Sequence, residues 1–264
     1  MAEYLSFLET TLSAAADAAL GFFGKVVPGY KDDDADQVVT EADLAIGRSI
    51  ITEITRVFPA DGVINEEDGD VRGTSAITWV VDPIDGSANF AAGSPLYGVM
   101  IGVLRGGTPV AGGVALPAFG EVYLAESGSG VIRNGAALAP DHGQDLSTAL
   151  VAYGVDVHGT TRTHQDFASL RAVSAHCQGL RMSNSVFDAV MVATGVYGAF
   201  LHRNCRIWDC VAPQILVEEA GGRFTDIHGT PLDYDAPATK RAHVYTVLAA
   251  APRLHRPILE VLPP

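Results

Sequence analysis

Positive charge is scarce in this chain of 264 residues: 17 Lys and Arg stand against 31 Asp and Glu, a formal net charge of −14. That balance lacks the electrostatic footprint of a nucleic-acid-binding surface. It leaves room for a phosphorylated ligand only where cations neutralise the site. Cysteine is sparse as well. Cys177, Cys205 and Cys210 make no even framework of disulfides, which points to a reducing, cytoplasmic setting. No basic region precedes an apolar run at the start, Met1-Ala2-Glu3-Tyr4, so a signal peptide is not expected. The Ala-rich stretch from Leu12 to Phe23 is short and broken by Asp17, so no membrane span is expected. Repeats, linkers and low-complexity segments are missing too.

What the chain has is a core. Hydrophobic residues make up 48% and charged residues 18%, enough apolar surface for one large domain or two closely packed ones. Tyr4, Leu5, Leu8, Leu12, Ala15, Ala16, Ala19 and Leu20 recur at helical spacing. A second helix follows Thr40, a capping residue, with Ile46, Ile50, Ile54 and Val57 on one face. Between them, Lys31-Asp32-Asp33-Asp34-Ala35-Asp36 reads as an acidic, solvated loop. Val63-Ile64 reads as a short buried strand. Gly-rich turns then separate a run of strands from Leu96 to Gly135, an antiparallel meander. Beyond Pro140, strands near Leu150, Gly198 and Val244 alternate with helices near His164, Val186 and Asp209. The expected fold is an α/β layered sandwich (α+β in detail), with an N-terminal half at residues 1–145 and a C-terminal half at 146–264 forming one unit.

The chemistry concentrates in Trp79-Val80-Val81-Asp82-Pro83-Ile84-Asp85-Gly86-Ser87-Ala88-Asn89-Phe90. An apolar strand leads here into two carboxylates three residues apart, in a turn stiffened by Pro83. Glu66-Glu67 follow another strand, and Asp209 starts a helix, where it reads as an N-cap. Each acid alone is ordinary turn or cap chemistry. Gathered together they would raise one another's pKa values, and a bound cation resolves that repulsion. Oxygen donors of this kind suit Mg²⁺. Backbone N–H groups of Gly86, Ser87 and Ala88 at the start of a short helical turn suit a phosphate. Ser87 has no His placed to activate it, which favours an activated water over a serine nucleophile.

Residues 79–90 resemble the first signature of the inositol monophosphatase family, W-[IV]-[IV]-D-P-[IL]-D-G-[TS]-x-N-F. Trp208-Asp209 with Glu219-Ala220-Gly221-Gly222 resembles its second signature, and Val39-Thr40-x-x-Asp43 and Glu66-Glu67 match two further elements in the same order. The resemblance implies a layered fold, lithium-sensitive phosphatase activity with two or three Mg²⁺ ions, a small phosphorylated metabolite as substrate, and a homodimer. By motif position, Glu66, Asp82 and the Ile84 carbonyl resemble ligands of a first metal, and Asp82, Asp85 and Asp209 those of a second. Asp43 and Ser87 take the positions that orient the attacking water. Glu67 stands beside the metal cluster in support.

The chain departs from the family where the alcohol is read. His202 stands seven residues before Asp209, where inositol phosphatases usually carry Glu, and Ser183-Asn184-Ser185 replaces a small Gly-[ST/A]-Ala run. His202 with Cys205 and Cys210 fits no standard zinc spacing. The leading expectation is hydrolysis of inositol 1-phosphate or a similar polyol phosphate. Histidinol phosphate is the next candidate substrate, with nucleotide 3′-phosphates and fructose 1,6-bisphosphate behind it. A non-catalytic metal-binding or regulatory protein is the reading of another class.

Overall fold

The computed structural model describes residues 2–25, 29–31, 34–67, 69–157 and 160–263. The first expected helix is present as α1 (Ala2–Phe22). The acidic segment differs from the expected loop. Gly29–Lys31 (β1) and Asp34–Val39 (β2) pair as a two-stranded antiparallel ribbon, and Asp32 and Asp33 between them lie outside the described residues. The second helix, α2 (Glu41–Val57), begins at Thr40, whose hydroxyl accepts from Ala42 N while Asp43 reaches back to Thr40 N. Ile46, Ile50 and Ile54 of α2 are buried, whereas Val57 in its last turn is exposed.

Seven strands form one sheet: β3 (Gly62–Asn65), β4 (Ile77–Asp85), β5 (Gly98–Arg105), β6 (Thr108–Leu116), β7 (Glu121–Glu126), β8 (Val131–Arg133) and β9 (Ala136–Leu138), in that spatial order. Only β3 and β4 run parallel; the rest is the expected meander. Asn134 and Gly135 both have positive φ, 49° and 78°, and make the tight β8–β9 turn. A second sheet has the order β11-β10-β12-β14-β13. Its strands are β10 (Leu150–Gly154), β11 (Gly179–Arg181), β12 (Ala199–Cys205), β13 (Arg223–Thr225) and β14 (Tyr245–Ala250).

Helices fill the layers. Between β4 and β5 lies the short α3 (Ser87–Ala91). Leu8, Leu12, Ile46, Ile50 and Ile54 of α1 and α2 cover one face of the large sheet, meeting Trp79, Val81, Ile101 and Val103. Its other face meets α5 (Val186–Ala193) and α6 (Ile207–Glu219), which lie in one core with residues of both sheets. The outer face of the small sheet packs Val151, Tyr153, Leu201 and Leu248 against α4 (Thr160–Ser174) and α7 (Pro252–Val261). The order is helix, sheet, helix, sheet, helix. This is the layered α/β sandwich.

Gly102 lets α6 approach the large sheet. A Cβ there would stand 2.5 Å from Val211 Cγ1 and 2.9 Å from Ala212 N. The approach matters because α6 carries Asp209 and the sheet carries Asp82 and Asp85. Gly102→Ala must push α6 outward, and overpacking of this kind costs about 1–3 kcal/mol. Urea denaturation should show that loss; an unchanged midpoint would contradict the close packing.

Candidate active site

In a regular strand, residues 82 and 85 point to opposite faces. A bulge between Asp82 and Asp85 in the β4–β5 pairing removes that obstacle. Past the bulge Ile84 joins the core of Trp79 and Val81, and Asp85 comes round beside Asp82. So the expected turn is a strand that continues through both acids with one irregularity. Asp209 is likewise not the N-cap of α6. Arg206 holds that place, and Asp209 sits one turn in, accepting from Arg206 N at 2.5 Å. Pro213 lies in the second turn of α6, so the Asp209 carbonyl receives no helical N–H from it.

These two local features bring Asp82, Asp85 and Asp209 together, with one carboxylate oxygen of each within 4.8 Å of the others. The Asp85 carboxylate accepts from Val186 N at the start of α5. Asp82 is 1% exposed and its Oδ1 has no hydrogen-bond partner. A buried, unpartnered carboxylate oxygen is costly and rare. Burial drives the Asp82 pKa well above the usual carboxylate range, helped by the charges of Glu66, Asp85 and Asp209. Burial, then Asp209, does the same to Asp85. Asp209 is raised to about 7, by burial first and Glu66 next. An all-oxygen set with an orphan oxygen and mutual repulsion fits a hard divalent cation.

Asp43 lies behind this cluster, fully buried. Its Oδ2 accepts from Thr40 N (2.8 Å) and Thr40 Oγ1 (2.6 Å), and its Oδ1 lies 2.9 Å from Ser87 Oγ. Ser87 Oγ is also 2.8 Å from the Ile84 carbonyl. One hydroxyl proton serves both acceptors. Burial raises the Asp43 pKa, against the lowering effect of the Thr40 bonds. Gly86, at φ 83°, starts α3, and a Cβ on it would meet Ser185 Cβ at 2.9 Å. The helical turn expected at Ser87 is therefore present, pressed close to the loop before α5.

That loop is heavily bonded. Asn89 Nδ2 donates to the Leu96 and Ser183 carbonyls, each at 2.7 Å. Ser183 Oγ and Ser185 Oγ share a 3.1 Å bond and both residues are buried. Asn184 spends its amide on Val155, accepting from Val155 N at 3.0 Å and donating to Val155 O at 2.6 Å. His202 Nε2 lies 3.3 Å from Asp156 Oδ2. Glu66 and Glu67 follow β3, half-buried, with their carbonyls held by Arg241 at 2.7 and 2.9 Å.

The family model for the inositol monophosphatase family matches residues 2–260. The chain belongs to that family. It is 36% identical over 259 residues to a probable inositol 1-monophosphatase, ImpA, of Mycobacterium tuberculosis, covering 95% of this chain and 92% of that one. The inositol monophosphatase structure from Anabaena superposes with a TM-score of 0.84 at 28% identity, covering 99% and 97% of the two chains. The extragenic suppressor protein suhB of Bartonella henselae superposes at 0.87 with 25% identity, covering 98% of each. The protein is accordingly a phosphatase, a hydrolase of a metal-dependent family acting on small phosphorylated substrates. The non-catalytic reading falls with that. Among the described residues no helix is long and apolar enough to cross a membrane.

Asp156 and Arg241 belong to no motif and were missed in the sequence. Asp156 was reachable in principle as the acid following the Leu150 strand. Arg241 lies in an irregular segment whose local pattern carries no signal.

The raised carboxylate values have a sign. Unfolded, these groups titrate near 3.8, while folded Asp209 titrates near 7. Between those values the metal-free folded state binds more protons than the unfolded one. The Asp209 contribution to stability therefore falls as pH rises through that window and levels off above it. In a chelator, Asp209→Asn should gain melting temperature relative to the parent as pH goes from 5 to 8. A difference independent of pH would contradict the burial of these acids.

Proposed function

We propose that the protein is a Mg²⁺-dependent phosphomonoesterase acting on inositol 1-phosphate or a similar small polyol phosphate. The observation that carries this reading is the cluster of Asp82, Asp85 and Asp209 with the orphan Asp82 Oδ1, set beside the helical turn at Ser87. Asp82, Asp85, Asp209, Glu66 and the Ile84 carbonyl hold the Mg²⁺ ions. Mg²⁺ bound there neutralises phosphate charge and acidifies water.

The chain's own groups do the rest. The N–H groups of Gly86, Ser87 and Ala88 take phosphate oxygens, so the phosphorus is held without a lysine or arginine. Ser87 Oγ accepts a proton from the attacking water and passes its own proton to Asp43 Oδ1. Asp43, with both oxygens already engaged, orients Ser87 and does not touch the water. Burial keeps its proton affinity high, which suits the receiving end of such a relay. Glu67 supports the cluster from its edge. Ser183, Asn184 and Ser185 shape the wall of the alcohol pocket, and His202 reads the alcohol. The two halves act as one unit in a cytoplasmic homodimer that lithium inhibits.

A second substrate reading rests on Asp156. A cationic alcohol such as histidinol needs an acid where His202 replaces the family's Glu, and the Asp156 carboxylate stands 3.3 Å from His202.

A panel of inositol, sugar, histidinol and nucleotide 3′-phosphates with Mg²⁺, read as phosphate release, tests both. Inositol 1-phosphate should lead; histidinol phosphate leading, with loss on Asp156→Asn, would favour the second reading. Turnover of none would sink both. Asp209→Asn should lower kcat at least about a hundredfold, since such ion contacts are worth several kcal/mol in the transition state. Retained turnover would contradict its role.

A further inference from the structure

Arg241 lies between a helical turn at Pro237–Thr239 and β14, far in sequence from the acids it touches. Its Nη1 donates to the Asn65 carbonyl at 2.5 Å and to Asp70 Oδ1 at 2.9 Å. Its Nη2 donates to the Glu66 carbonyl at 2.7 Å and the Glu67 carbonyl at 2.9 Å. Three successive carbonyls of the turn that bears both glutamates thus converge on one side chain. The N–H side of the same turn is held separately. Glu66 N donates to Val81 O at 3.0 Å, and Asn65 N donates to Asp70 Oδ1 at 3.0 Å. The guanidinium carbon also lies 5.2 Å from the ring centroid of Trp208, the neighbour of Asp209.

One cation therefore joins the segment of Glu66 and Glu67 to the segment of Asp209. A flat guanidinium with five donors in a fixed fork can serve three carbonyls and a carboxylate at once while resting on an indole ring. A lysine ammonium, a compact point charge, cannot reproduce that set. The contacts to the turn are to backbone and to Asp70, so what they set is the origin and direction of the Glu66 and Glu67 side chains.

We propose that Arg241 is a positioning residue of the metal site: it locks the Glu66–Glu67 turn against Trp208–Asp209 and thereby sets cation affinity. The inference rests on the reading that Glu66 joins Asp82, Asp85 and Asp209 in holding Mg²⁺. Outer partners of metal ligands typically change affinity about 10–100-fold when removed.

Calorimetric titration with Mg²⁺ alone, without substrate, tests it on the full chain, Arg241→Ala and Arg241→Lys, with circular dichroism as the control for folding. Both variants should bind Mg²⁺ at least about tenfold more weakly at unchanged folded content. Free methylguanidinium should recover part of the affinity in Arg241→Ala. Parental affinity in Arg241→Lys would overturn the proposal, since charge alone would then suffice. Weakening that only tracks lost folded structure would overturn it too. If the unaltered chain binds no Mg²⁺, the reading of the metal site itself falls, and this inference with it.

Discussion

Three carboxylates that repel one another are held together at the junction of a strand and two helices, and the rest of the molecule is arranged so that they cannot separate. Asp82 and Asp85 are fixed by β4, which is paired on both sides. Asp209 is fixed by α6, which is wedged between the two sheets. Relief by movement would require opening a core. What remains is protonation or a cation. At neutral pH a hard divalent ion is the stronger remedy, because it satisfies the orphan Asp82 oxygen as well as cancelling charge.

The supporting layers follow from that constraint. Small residues bring the acid-bearing elements close. Gly102 admits α6 to the large sheet, and Gly47, one turn after Asp43, would place a Cβ 3.0 Å from Pro83 Cγ and from Asn65 Nδ2. Polar side chains then fix orientation: Thr40 on Asp43, Asp43 on Ser87, Asn89 between the first motif and the Ser183 loop. Trp79 anchors the strand from the far side, donating to Asp61 Oδ2 at 2.9 Å within a cluster of Tyr4, Phe7 and Phe58. The acid-bearing part of the site is built on rigid elements.

Much of this is written locally in the chain. The apolar periodicity of α1 and α2, the Thr40 cap and the Gly-separated meander are short-range patterns, and each appears as an element. The pairing of β1 with β2 is invisible locally because a run of aspartates reads as solvated charge. Three-residue strands such as β11 and β13 are too short to carry a period and exist only through their neighbours. The bulge between Asp82 and Asp85 is the instructive case. Spacing alone puts the two acids on opposite faces, and only the register against β5 shows that they share one. The motif match brought the acids together by resemblance; the geometric reason needed the sheet. Arg241 acts through contacts distant in sequence, so no window on the chain marks it.

The central claim is that Asp82, Asp85 and Asp209 form a cation site. Crystals grown with Mn²⁺ in place of Mg²⁺, measured at the manganese absorption edge, address it directly. The account predicts an anomalous peak bounded by carboxylate oxygens of all three residues, with the Asp82 Oδ1 among the ligands. A chain saturated with Mn²⁺ whose only peaks lie elsewhere, with the three aspartates left bare, would contradict it.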